Sequence, residues 1–338
     1  MTSNSLLCVR NLRVGYTTQQ GVVHAVSDVS FDVQPNEVFG IAGESGCGKS
    51  TLIRALLRLL SNNGTSTASK IEFEGQDVQG LSDSAFRQSI LWKRISLVPQ
   101  SAMNSLNPVY RVGDQVIEAI RAHSKSSRSE ARERVEFLFD IVGLQPELMR
   151  SYPHEFSGGM RQRAMIAMSL ALDPGLIIMD EPTTGLDVLV QERILRRVRE
   201  IRTEIASSII LITHDIAVIA EMSDRIAVMY GGKIMESAAA NDLFDAPYHP
   251  YTLGLKNAFP SIRAMNTELI SIPGSPPALL GDELGCLFEP RCPFSNAVCS
   301  QDLPSRHYVS DLHEVNCHRH GDVVEMRERA ALKSTWHS

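Results

Sequence analysis

One segment, residues 43–51, constrains the fold more than any other part of the sequence; it reads Gly-Glu-Ser-Gly-Cys-Gly-Lys-Ser-Thr. It fits the pattern G-x-x-x-x-G-K-[ST], in which glycines let successive backbone N–H groups face a phosphate. A short apolar run, Val38 to Ala42, precedes it, and a run with helical character, Leu52 to Leu60, follows it. Because a strand, a tight loop and a helix start in this order form a phosphate site, the chain is predicted to bind a nucleoside triphosphate.

Each residue type in this loop has an expected contribution. Lys49 is predicted to reach the β and γ phosphates, and the hydroxyl of Ser50 is predicted to ligate the Mg²⁺ that bridges them. A chance glycine-rich turn is the alternative, and the preceding apolar strand disfavours it. The predicted nucleotide-binding residues of the loop are Gly43, Glu44, Ser45, Gly46, Cys47, Gly48, Lys49, Ser50 and Thr51.

A second apolar run ends in two carboxylates. Leu176 to Met179 is predicted to form a buried strand, followed by Asp180 and Glu181. One acid in this position typically holds Mg²⁺, and the next polarises the attacking water. Asp180 is therefore the predicted metal residue and Glu181 the predicted general base, although a solvated Asp-Glu turn is the common alternative.

A second phosphate-binding helix start is predicted at Ser157. Ser157, Gly158 and Gly159 open the apolar-periodic stretch Ala164 to Leu172. Taken alone, the tripeptide favours an ordinary Ser-Gly helix cap. One nucleotide does not need two such termini from one chain, so this one is predicted to cap a nucleotide held by another subunit.

These motifs, together with Gln100 after the strand Ile95 to Pro99 and His214 after the strand Ile209 to Thr213, resemble those of ABC-type ATPases in order and context. Residues 43–51 are similar to the family's Walker A loop, and 176–181 to its Walker B strand. Gln100 stands where the family has its Q-loop, His214 where it has its switch histidine, and Thr184 to Asp187 where it has its D-loop.

The stretch from Ser157 to Gln162 resembles the family's signature motif, with two departures. Phe156 stands where Leu is commonest, and Met160-Arg161 precede the Gln. Such variants keep the Ser and Gly residues that face phosphate. The signature and D-loop residues expected to act on ATP across a dimer are Ser157, Gly158, Gly159, Arg161, Gln162 and Asp187.

The resemblance implies further roles around the ATP. Gln100 and Asp180 are expected to support Mg²⁺ with Ser50, and His214 is expected to link the γ-phosphate to Glu181. Tyr16, placed after an opening strand Leu6 to Val14, is expected to stack on adenine, although a surface tyrosine is the plainer reading.

The resemblance and the pattern of elements together predict an α/β fold. Strands alternate with helices, as expected for a mostly parallel sheet covered on its faces. The expected ABC ATPase domain, a RecA-like core plus a helical subdomain at about 101–172, occupies residues 1–245, and a C-terminal extension occupies 246–338. Val112 to Ala122 and Ser129 to Val142 are predicted to be helices.

Composition and charge narrow the class of partner. Of the 338 residues, 43% are hydrophobic, which is enough for a sizeable core. The net charge is −6, so the chain lacks the surplus of basic residues that a general nucleic-acid binder shows. No apolar run is long enough to span a membrane, and the first residues do not resemble a signal peptide. The sequence therefore predicts a protein of the cytoplasmic membrane face, attached peripherally by docking.

The region after residue 240 resembles the C-terminal extension of oligopeptide/dipeptide importer ATPases. The resemblance rests on Asp242 to Phe244, Pro247 to Thr252, and Ile272 to Gly274 with Pro276-Pro277, and on Ser105 to Pro108 earlier in the chain. It covers about Leu6 to Cys317. From the residues themselves, Pro247 to Thr252 predicts only an irregular, ordered turn.

Four of the six cysteines gather in this extension with the spacing C-x5-C-x6-C-x17-C. Clustered thiols in a cytosolic protein favour a metal site over disulfides, but paired C-x2-C zinc knuckles are missing. The run from Cys286 to Pro293 resembles the motif that related peptide-importer ATPases use for a [4Fe–4S] cluster, which four thiolates suit. Cys286, Cys292, Cys299 and Cys317 are the expected ligands, with zinc or no metal as alternatives.

Cys47 is the other notable cysteine, because it lies inside the phosphate loop. A helix start can lower a thiol pKa, which favours a reactive cysteine. A small side chain that fills space beside phosphate is the alternative.

The resemblance thus predicts an ATPase that powers the import of di- and oligopeptides. The expected partners are a second ABC ATPase, a paralogue rather than a second copy, two membrane permeases and an extracytoplasmic peptide-binding protein, with no nucleic acid. An importer of another solute, such as nickel or an oligosaccharide, is the nearest alternative. A non-transport ABC ATPase is a more distant one, since it predicts tandem domains or a long coiled-coil insertion.

Overall fold

The computed structural model describes residues 5–100, 105–258, 270–281 and 284–336. Its strands, in chain order, are β1 Leu7–Thr18, β2 Gly21–Val33, β3 Val38–Ala42, β4 Gly64–Thr67, β5 Lys70–Phe73, β6 Gln76–Asp77, β7 Ile95–Val98, β8 Leu176–Asp180, β9 Ser208–Ile212, β10 Arg225–Tyr230, β11 Lys233–Ala239, β12 His307–Ser310 and β13 His313–Val315.

The α-helices follow the same order along the chain. They are α1 Lys49–Leu56, α2 Asp83–Ser89, α3 Val112–His123, α4 Arg128–Ile141, α5 Gly158–Ser169, α6 Val188–Ile205, α7 Ile216–Met222, α8 Ala240–Asp245, α9 Pro250–Ala258, α10 Ala297–Gln301, α11 Val323–Ala330 and α12 Lys333–Trp336. Short 3₁₀ turns include Pro146–Arg150, Pro153–Glu155, Glu289–Arg291 and His320–Asp322.

Two compact units make up the chain. The first contains the described residues of Met1–Leu7, Val33–Val38 and Glu72–Ile212, and the second contains those of Cys8–Asp32, Phe39–Ile71 and Thr213–Ser338. The domain division expected from the sequence, with a boundary near residue 245, stays a prediction.

The first unit contains a parallel set of strands and a group of helices. β7 pairs with β8, and β8 pairs with β9, both in parallel. Every residue of β8 and β9 is buried, the pattern of parallel strands covered on both faces. Helices α3, α4 and α5 pack against one another. The predicted helices at 112–122 and 129–142 are thus confirmed within a residue or two.

The second unit has a more mixed sheet than the sequence suggested. β3 and β10 pair in parallel, but β10 pairs with β11, β11 with β13 and β12 with β13 in antiparallel fashion. In a separate sheet, β1 pairs with β4 in antiparallel fashion. A glycine pair explains the change of direction, because Gly231 and Gly232 have φ of 56° and 78°. Positive φ at both central residues gives a two-residue hairpin turn, which an antiparallel pair requires.

Two expected element boundaries are corrected by the structure. α1 ends at Leu56 rather than running to Leu60, because Arg58 takes a left-handed φ of 55° and the N–H of Leu59 bonds back to the Arg54 carbonyl. Tyr16 lies within β1, which extends to Thr18, and not after the strand.

The extension folds onto the core of the second unit through aromatic side chains. Tyr230, Tyr251 and Phe288 are almost fully buried, with ring centroids 4.7–5.3 Å apart. Pro250 begins α9, a position that its missing N–H and fixed φ suit. The segment predicted as an irregular turn thus contains the start of a helix.

Within the described part of the chain, none of the helices combines the length and apolarity needed to cross a bilayer.

Candidate functional site

The glycine-rich loop follows β3 in the second unit, as the sequence predicted. Gly43 and Gly48 have φ of 149° and 104°, a region that other residues rarely adopt. A Cβ at Gly43 would lie 2.2 Å from the Met229 carbonyl oxygen, and one at Gly48 would lie 2.3 Å from that of Ala25. Backbone from two other strands therefore presses on the loop, so both positions require glycine.

Lys49 is buried and its ammonium lies against the loop. Its Nζ donates to the carbonyl oxygens of Gly43 at 2.7 Å and Glu44 at 2.9 Å, and it lies 3.5 Å from Cys47 Sγ. A lysine has three N–H donors, so a contact with phosphate must replace one of these partners. Gly48, the N-cap of α1, provides no side-chain cap, and a helix start of this kind is a favourable place for an anion.

Cys47 is 2% exposed and lies under the loop. Burial raises the pKa of its thiol, and the nearby Lys49 ammonium, which acts in the opposite direction, does not cancel the effect. A buried thiol that stays protonated is a poor nucleophile. The structure thus favours the space-filling interpretation of Cys47 over the reactive one.

Glu44 makes contacts that sequence reasoning missed. Its carboxylate forms two charged hydrogen bonds with the Arg291 guanidinium, at 2.8 and 3.0 Å, and its N–H donates to the Tyr251 hydroxyl at 2.9 Å. Both partners come from the extension, more than 200 positions along the chain. Arg291 precedes Cys292 directly, and Tyr251 lies in the Pro247 to Thr252 motif. Both segments were singled out in the sequence, but nothing in them predicted a contact with Glu44.

Tyr16 and His214 are also in the second unit. Tyr16 is half-buried on β1 opposite Gly64, where a Cβ would come within 2.9 Å of the Tyr16 ring. His214 is exposed between β9 and α7. The adjacent Asp215 caps α7 by accepting hydrogen bonds from the N–H groups of Ala217 and Val218. The stacking role of Tyr16 and the phosphate contact of His214 stay predictions.

The predicted acids lie at the end of β8 in the first unit. Asp180 is buried, and Glu181 follows it with a φ of 49°. The Nε2 of Gln100 donates to Glu181 Oε2 at 2.7 Å, and the Thr184 hydroxyl donates to the same oxygen at 3.0 Å. A glutamate held in the left-handed region at a strand end carries a backbone cost of about 1–3 kcal/mol, as is typical of functional positions.

The signature segment forms the helix start that the sequence predicted. Ser157 is the N-cap of α5, and its hydroxyl accepts a hydrogen bond from the Met160 N–H at 3.3 Å. A Cβ at Gly159 would lie 2.5 Å from a methyl of Val190, so a side chain there would have to displace that methyl. Asp187 accepts a hydrogen bond from the Val190 N–H at 3.0 Å where α6 begins.

Two polar side-chain atoms of the signature are buried without a partner in the described part of the chain. They are Nε of Arg161 and Nε2 of Gln162. Buried donors without partners are uncommon and cost free energy, so they merit a functional explanation.

The predicted site residues are therefore divided between the two units. The second unit contains the phosphate loop, Tyr16, His214 and the four extension cysteines. The first contains Gln100, the signature, Asp180, Glu181 and Asp187.

All six cysteines are free thiols, and the four in the extension are buried or half-buried. The Cys286 N–H donates to the Cys299 carbonyl at 2.7 Å, and the Arg319 N–H donates to Cys317 Sγ at 3.4 Å. The segment from Cys286 to Cys292 is a series of hydrogen-bonded turns that ends in the 3₁₀ turn Glu289–Arg291.

Two of these thiols, Cys292 and Cys317, have raised pKa values. Burial raises the pKa of Cys292, the Phe294 N–H lowers it, and the charges of Cys317, Cys286 and Cys299 raise it further. Burial also raises the pKa of Cys317 to about 12, with contributions from Cys286 and Cys299. The negative charges of neighbouring thiolates therefore oppose the ionisation of Cys292 and Cys317. A bound metal cation would offset that repulsion, since thiolates are the form that binds a metal.

Among the described residues, no set of three or more His, Cys, Asp or Glu side chains converges as one metal ion requires. Two thiolates on one tetrahedral zinc must lie about 4 Å apart, given Zn–S bonds of about 2.3 Å. The described side chains therefore do not form a site for one zinc ion.

Sequence models of two families divide most of the chain between them. The ABC transporter model matches residues 26–184, and the model of the oligopeptide/dipeptide transporter C-terminal region matches residues 235–299. A model of an AAA domain, described as a putative AbiEii toxin, matches residues 150–220 and overlaps the first model over 150–184.

Curated relatives are similar along nearly their whole length. The dipeptide transport ATP-binding protein DppD of Bacillus subtilis is 44% identical over 92% of this chain and 94% of its own. The oligopeptide transport ATP-binding protein OppD of Escherichia coli is 43% identical over 91% of each chain. Escherichia coli DppD is 39% identical over 93% of this chain and 96% of its own.

Solved structures of ATP-binding cassettes share the fold. The cassette MJ0796, solved as a dimer with ADP and phosphate, superposes with a TM-score of 0.61 over 69% of this chain and 98% of its own, at 23% identity. The cbiO1 protein of Clostridium perfringens, part of the complex cbiONQ, gives a TM-score of 0.62 over 72% of this chain and 92% of its own, at 27% identity.

Proposed function

This chain belongs to the ABC transporter ATP-binding family, in the group of dipeptide and oligopeptide transport proteins, and from that premise we propose how its residues couple ATP hydrolysis to peptide import. The family membership rests on relatives 39–44% identical over more than nine-tenths of the chain. The chain is an ATPase subunit that powers the uptake of di- and oligopeptides. The observation that carries the peptide assignment is the match of residues 235–299 to the oligopeptide/dipeptide transporter C-terminal region.

ATP binding is assigned to the phosphate loop. The left-handed glycines turn backbone N–H groups toward the phosphates, and Lys49 exchanges a loop carbonyl for a phosphate oxygen. Ser50 and Asp180, with Gln100, are the residues that would hold Mg²⁺, and a bound Mg²⁺ would offset the negative charge of the phosphates. Tyr16 is proposed to stack on the adenine.

Hydrolysis is assigned to Glu181 as general base. Its Oε2 already accepts hydrogen bonds from Gln100 and Thr184, which fix the direction of the carboxylate. The carboxylate, held in this way, is proposed to accept the proton of the attacking water. His214 is proposed to contact the γ-phosphate and Glu181 during this step.

The signature is proposed to act on ATP bound by a partner ATPase. The capped start of α5 presents the N–H groups of Gly158 and Gly159 to an anion. The unpartnered donors of Arg161 and Gln162 are accounted for if the partner's nucleotide orders this segment. Asp187 is proposed to complete the contact between subunits.

The expected assembly follows from the family. An importer of this kind contains membrane permeases and a partner ATPase, and we assign the chain to the cytoplasmic face of the membrane as a peripheral subunit. The finer composition, with two permeases, a paralogous second ATPase, an extracytoplasmic peptide-binding protein and no nucleic acid, is part of the proposal. So is the division into an ATPase domain to residue 245 and an extension after it.

The assembly is tested by mild-detergent purification of the tagged chain from its native membranes, with mass spectrometry of the proteins that co-purify. Permeases, a second ATPase and a solute-binding protein that binds peptides are the expected result. If the co-purified solute-binding protein binds nickel or an oligosaccharide and no peptide, that solute would replace peptide as the assigned cargo. Recovery of soluble proteins alone would contradict the transport assignment while leaving the ATPase chemistry in place.

The extension cysteines are proposed to bind a [4Fe–4S] cluster. Supporting it are the mutual proximity of Cys286, Cys292, Cys299 and Cys317 and their directed N–H donors. Iron and acid-labile sulfide are to be measured after anaerobic purification, with a Cys292→Ser variant as control. About four irons and four sulfides per chain are expected; one zinc without sulfide would overturn the cluster.

A further inference from the structure

The phosphate loop contains a negatively charged side chain, Glu44, at its second position. The loop binds a highly charged anion through glycine N–H groups and Lys49. A carboxylate within such a loop repels the phosphates unless a cation neutralises it. The structure supplies that cation from outside the loop.

Arg291 neutralises Glu44 in a two-pronged geometry. Its Nη1 lies 2.8 Å from Oε2 and its Nη2 lies 3.0 Å from Oε1. The Arg291 side chain is 7% exposed and that of Glu44 is 26% exposed, so water screens this pair less than a surface ion pair. Paired, parallel N–H···O bonds of this kind are strong and directional.

The Arg291 guanidinium is itself held by the extension. Its Nε donates to the Pro273 carbonyl at 2.8 Å and Nη2 donates to the Ile272 carbonyl at 3.3 Å. Nη1 donates to the Tyr230 hydroxyl at 3.3 Å, and the group lies over the Tyr230 ring at 5.6 Å. With its donors engaged in this way, Arg291 presents Glu44 with a cation in a fixed place.

The backbone of Glu44 is held as well. Its N–H donates to the Tyr251 hydroxyl, and its carbonyl accepts from Lys49. When Lys49 turns to a phosphate, Tyr251 and Arg291 still restrain the residue. The loop can then keep its shape while its lysine changes partners.

We propose that Arg291 of the C-terminal extension is a positioning residue of the ATP site, which neutralises and fixes Glu44 so that the phosphate loop accepts the triphosphate. The proposal rests on the ATP-binding function proposed above. Because Arg291 belongs to the 3₁₀ turn Glu289–Arg291 between Cys286 and Cys292, an ordered cysteine segment is a condition for this contact. The extension is thereby a component of the nucleotide site.

Direct binding of a fluorescent ATP analogue, MANT-ATP, to the purified full chain with Mg²⁺ tests the proposal. Arg291→Met leaves the Glu44 carboxylate uncompensated, so the dissociation constant should rise about tenfold or more. Glu44→Gln removes the repulsion and is the background in which the Arg291 substitution is repeated. The double variant Glu44→Gln/Arg291→Met should recover the lost affinity and bind within about threefold of Glu44→Gln alone.

That recovery distinguishes positioning from a general structural role. If Arg291 were needed only to fold the extension, removing the Glu44 charge would not restore binding. Arg291→Lys, which keeps the charge and loses the paired geometry, should give an intermediate constant. In steady-state hydrolysis, Arg291→Met should raise KM for ATP with kcat nearly unchanged.

Controls keep the outcomes separate. Arg306→Met removes another half-buried ion pair of the extension, with Glu314 at 3.3 Å, and should leave MANT-ATP binding unchanged. Melting temperature and the count of solvent-accessible thiols identify any variant whose extension has unfolded. Unchanged binding by Arg291→Met, or an equal loss in the double variant, would overturn the inference. Failure of the wild-type chain to bind MANT-ATP would instead overturn the proposed function.

Discussion

The two helix starts that were predicted to face phosphate are supported in different ways. α1 begins after a loop held by distant residues: Ala25 and Met229 limit its glycines, and Tyr251 and Arg291 hold Glu44. α5 begins with a cap from its own sequence neighbour, since Ser157 accepts the Met160 N–H. The start of α1 therefore depends on tertiary contacts, whereas the start of α5 depends largely on local ones.

Because of this difference, substitutions in the two regions should impair different functions. Damage to the supports of the phosphate loop should affect ATP affinity. Damage in the first unit, where the acids and the signature lie, should affect turnover while binding survives.

The largest expected effect is on turnover. Glu181→Gln should lower ATP hydrolysis about 100-fold or more, because an amide cannot accept the proton of the attacking water. MANT-ATP binding should persist. Glu192→Gln, which alters an exposed ion pair with Arg196 on α6, is the matched control for phosphate-release assays. Near-normal hydrolysis by the Glu181 variant would remove that residue from the role of base.

The next effect contrasts glycines in the two helix starts. Gly48→Ala forces a Cβ to 2.3 Å from the Ala25 carbonyl at a φ of 104°, and should cost about 3 kcal/mol or more in unfolding free energy. Gly159→Ala meets a Val190 methyl, which can shift, and should cost about 1–2 kcal/mol. Denaturant titration of both variants compares them. Equal losses would mean that the two regions are equally constrained.

The local character of the signature is tested by its cap. Ser157→Ala should lower stability by about 1 kcal/mol and should also reduce turnover. Ser82 caps α2 by accepting the Ala85 N–H at 3.2 Å, so Ser82→Ala is a matched variant in the same unit. It should lose similar stability with no effect on turnover. If Ser82→Ala lost as much turnover as Ser157→Ala, the effect of the signature variant would be due to its lower stability alone.

The smallest expected effect is a dependence of stability on pH, which arises in the second unit. Burial lowers the pKa of His249 from 6.5 to about 3, and the ring nitrogen Nδ1 accepts the Tyr251 N–H. The unfolded chain therefore binds a proton that the folded chain excludes, and stability falls as pH drops below 6.5. The loss from this group should be about 0.8 kcal/mol at pH 6.0 relative to pH 8.

His249→Gln should flatten this part of the pH profile. Urea titrations of both proteins at pH 8, 6.5 and 6.0 measure it. A variant with the same pH dependence as wild type would show that other groups titrate in this range.

The sequence was most informative where structure depends on neighbouring residues. The β3–loop–α1 unit, the strand that ends at Asp180 and the cap at Ser157 each depend on a few adjacent side chains, and each was predicted. The end of α1 was not, because a left-handed Arg58 carries no distinctive composition. The Gly231-Gly232 turn was readable in principle, since a glycine pair between apolar runs favours a hairpin.

The contacts of Glu44 were beyond sequence reasoning. Arg291 lies 247 positions away, and nothing in its local pattern specifies a partner. Tyr16 shows a milder case, because its place on β1 depends on pairing with β4. In both, packing between distant segments decides the outcome, and periodicity within one segment does not report it.

The left-handed backbone at Glu181 has a consequence for sequence variation at that position. Asn, Asp and Gly tolerate this region of φ far better than Val or Ile. A library of residue 181 variants ranked only by soluble yield should therefore favour Gly and Asn over the glutamate found here. The same library ranked by peptide uptake should favour glutamate, so the two rankings would measure separately what the backbone prefers and what the chemistry demands.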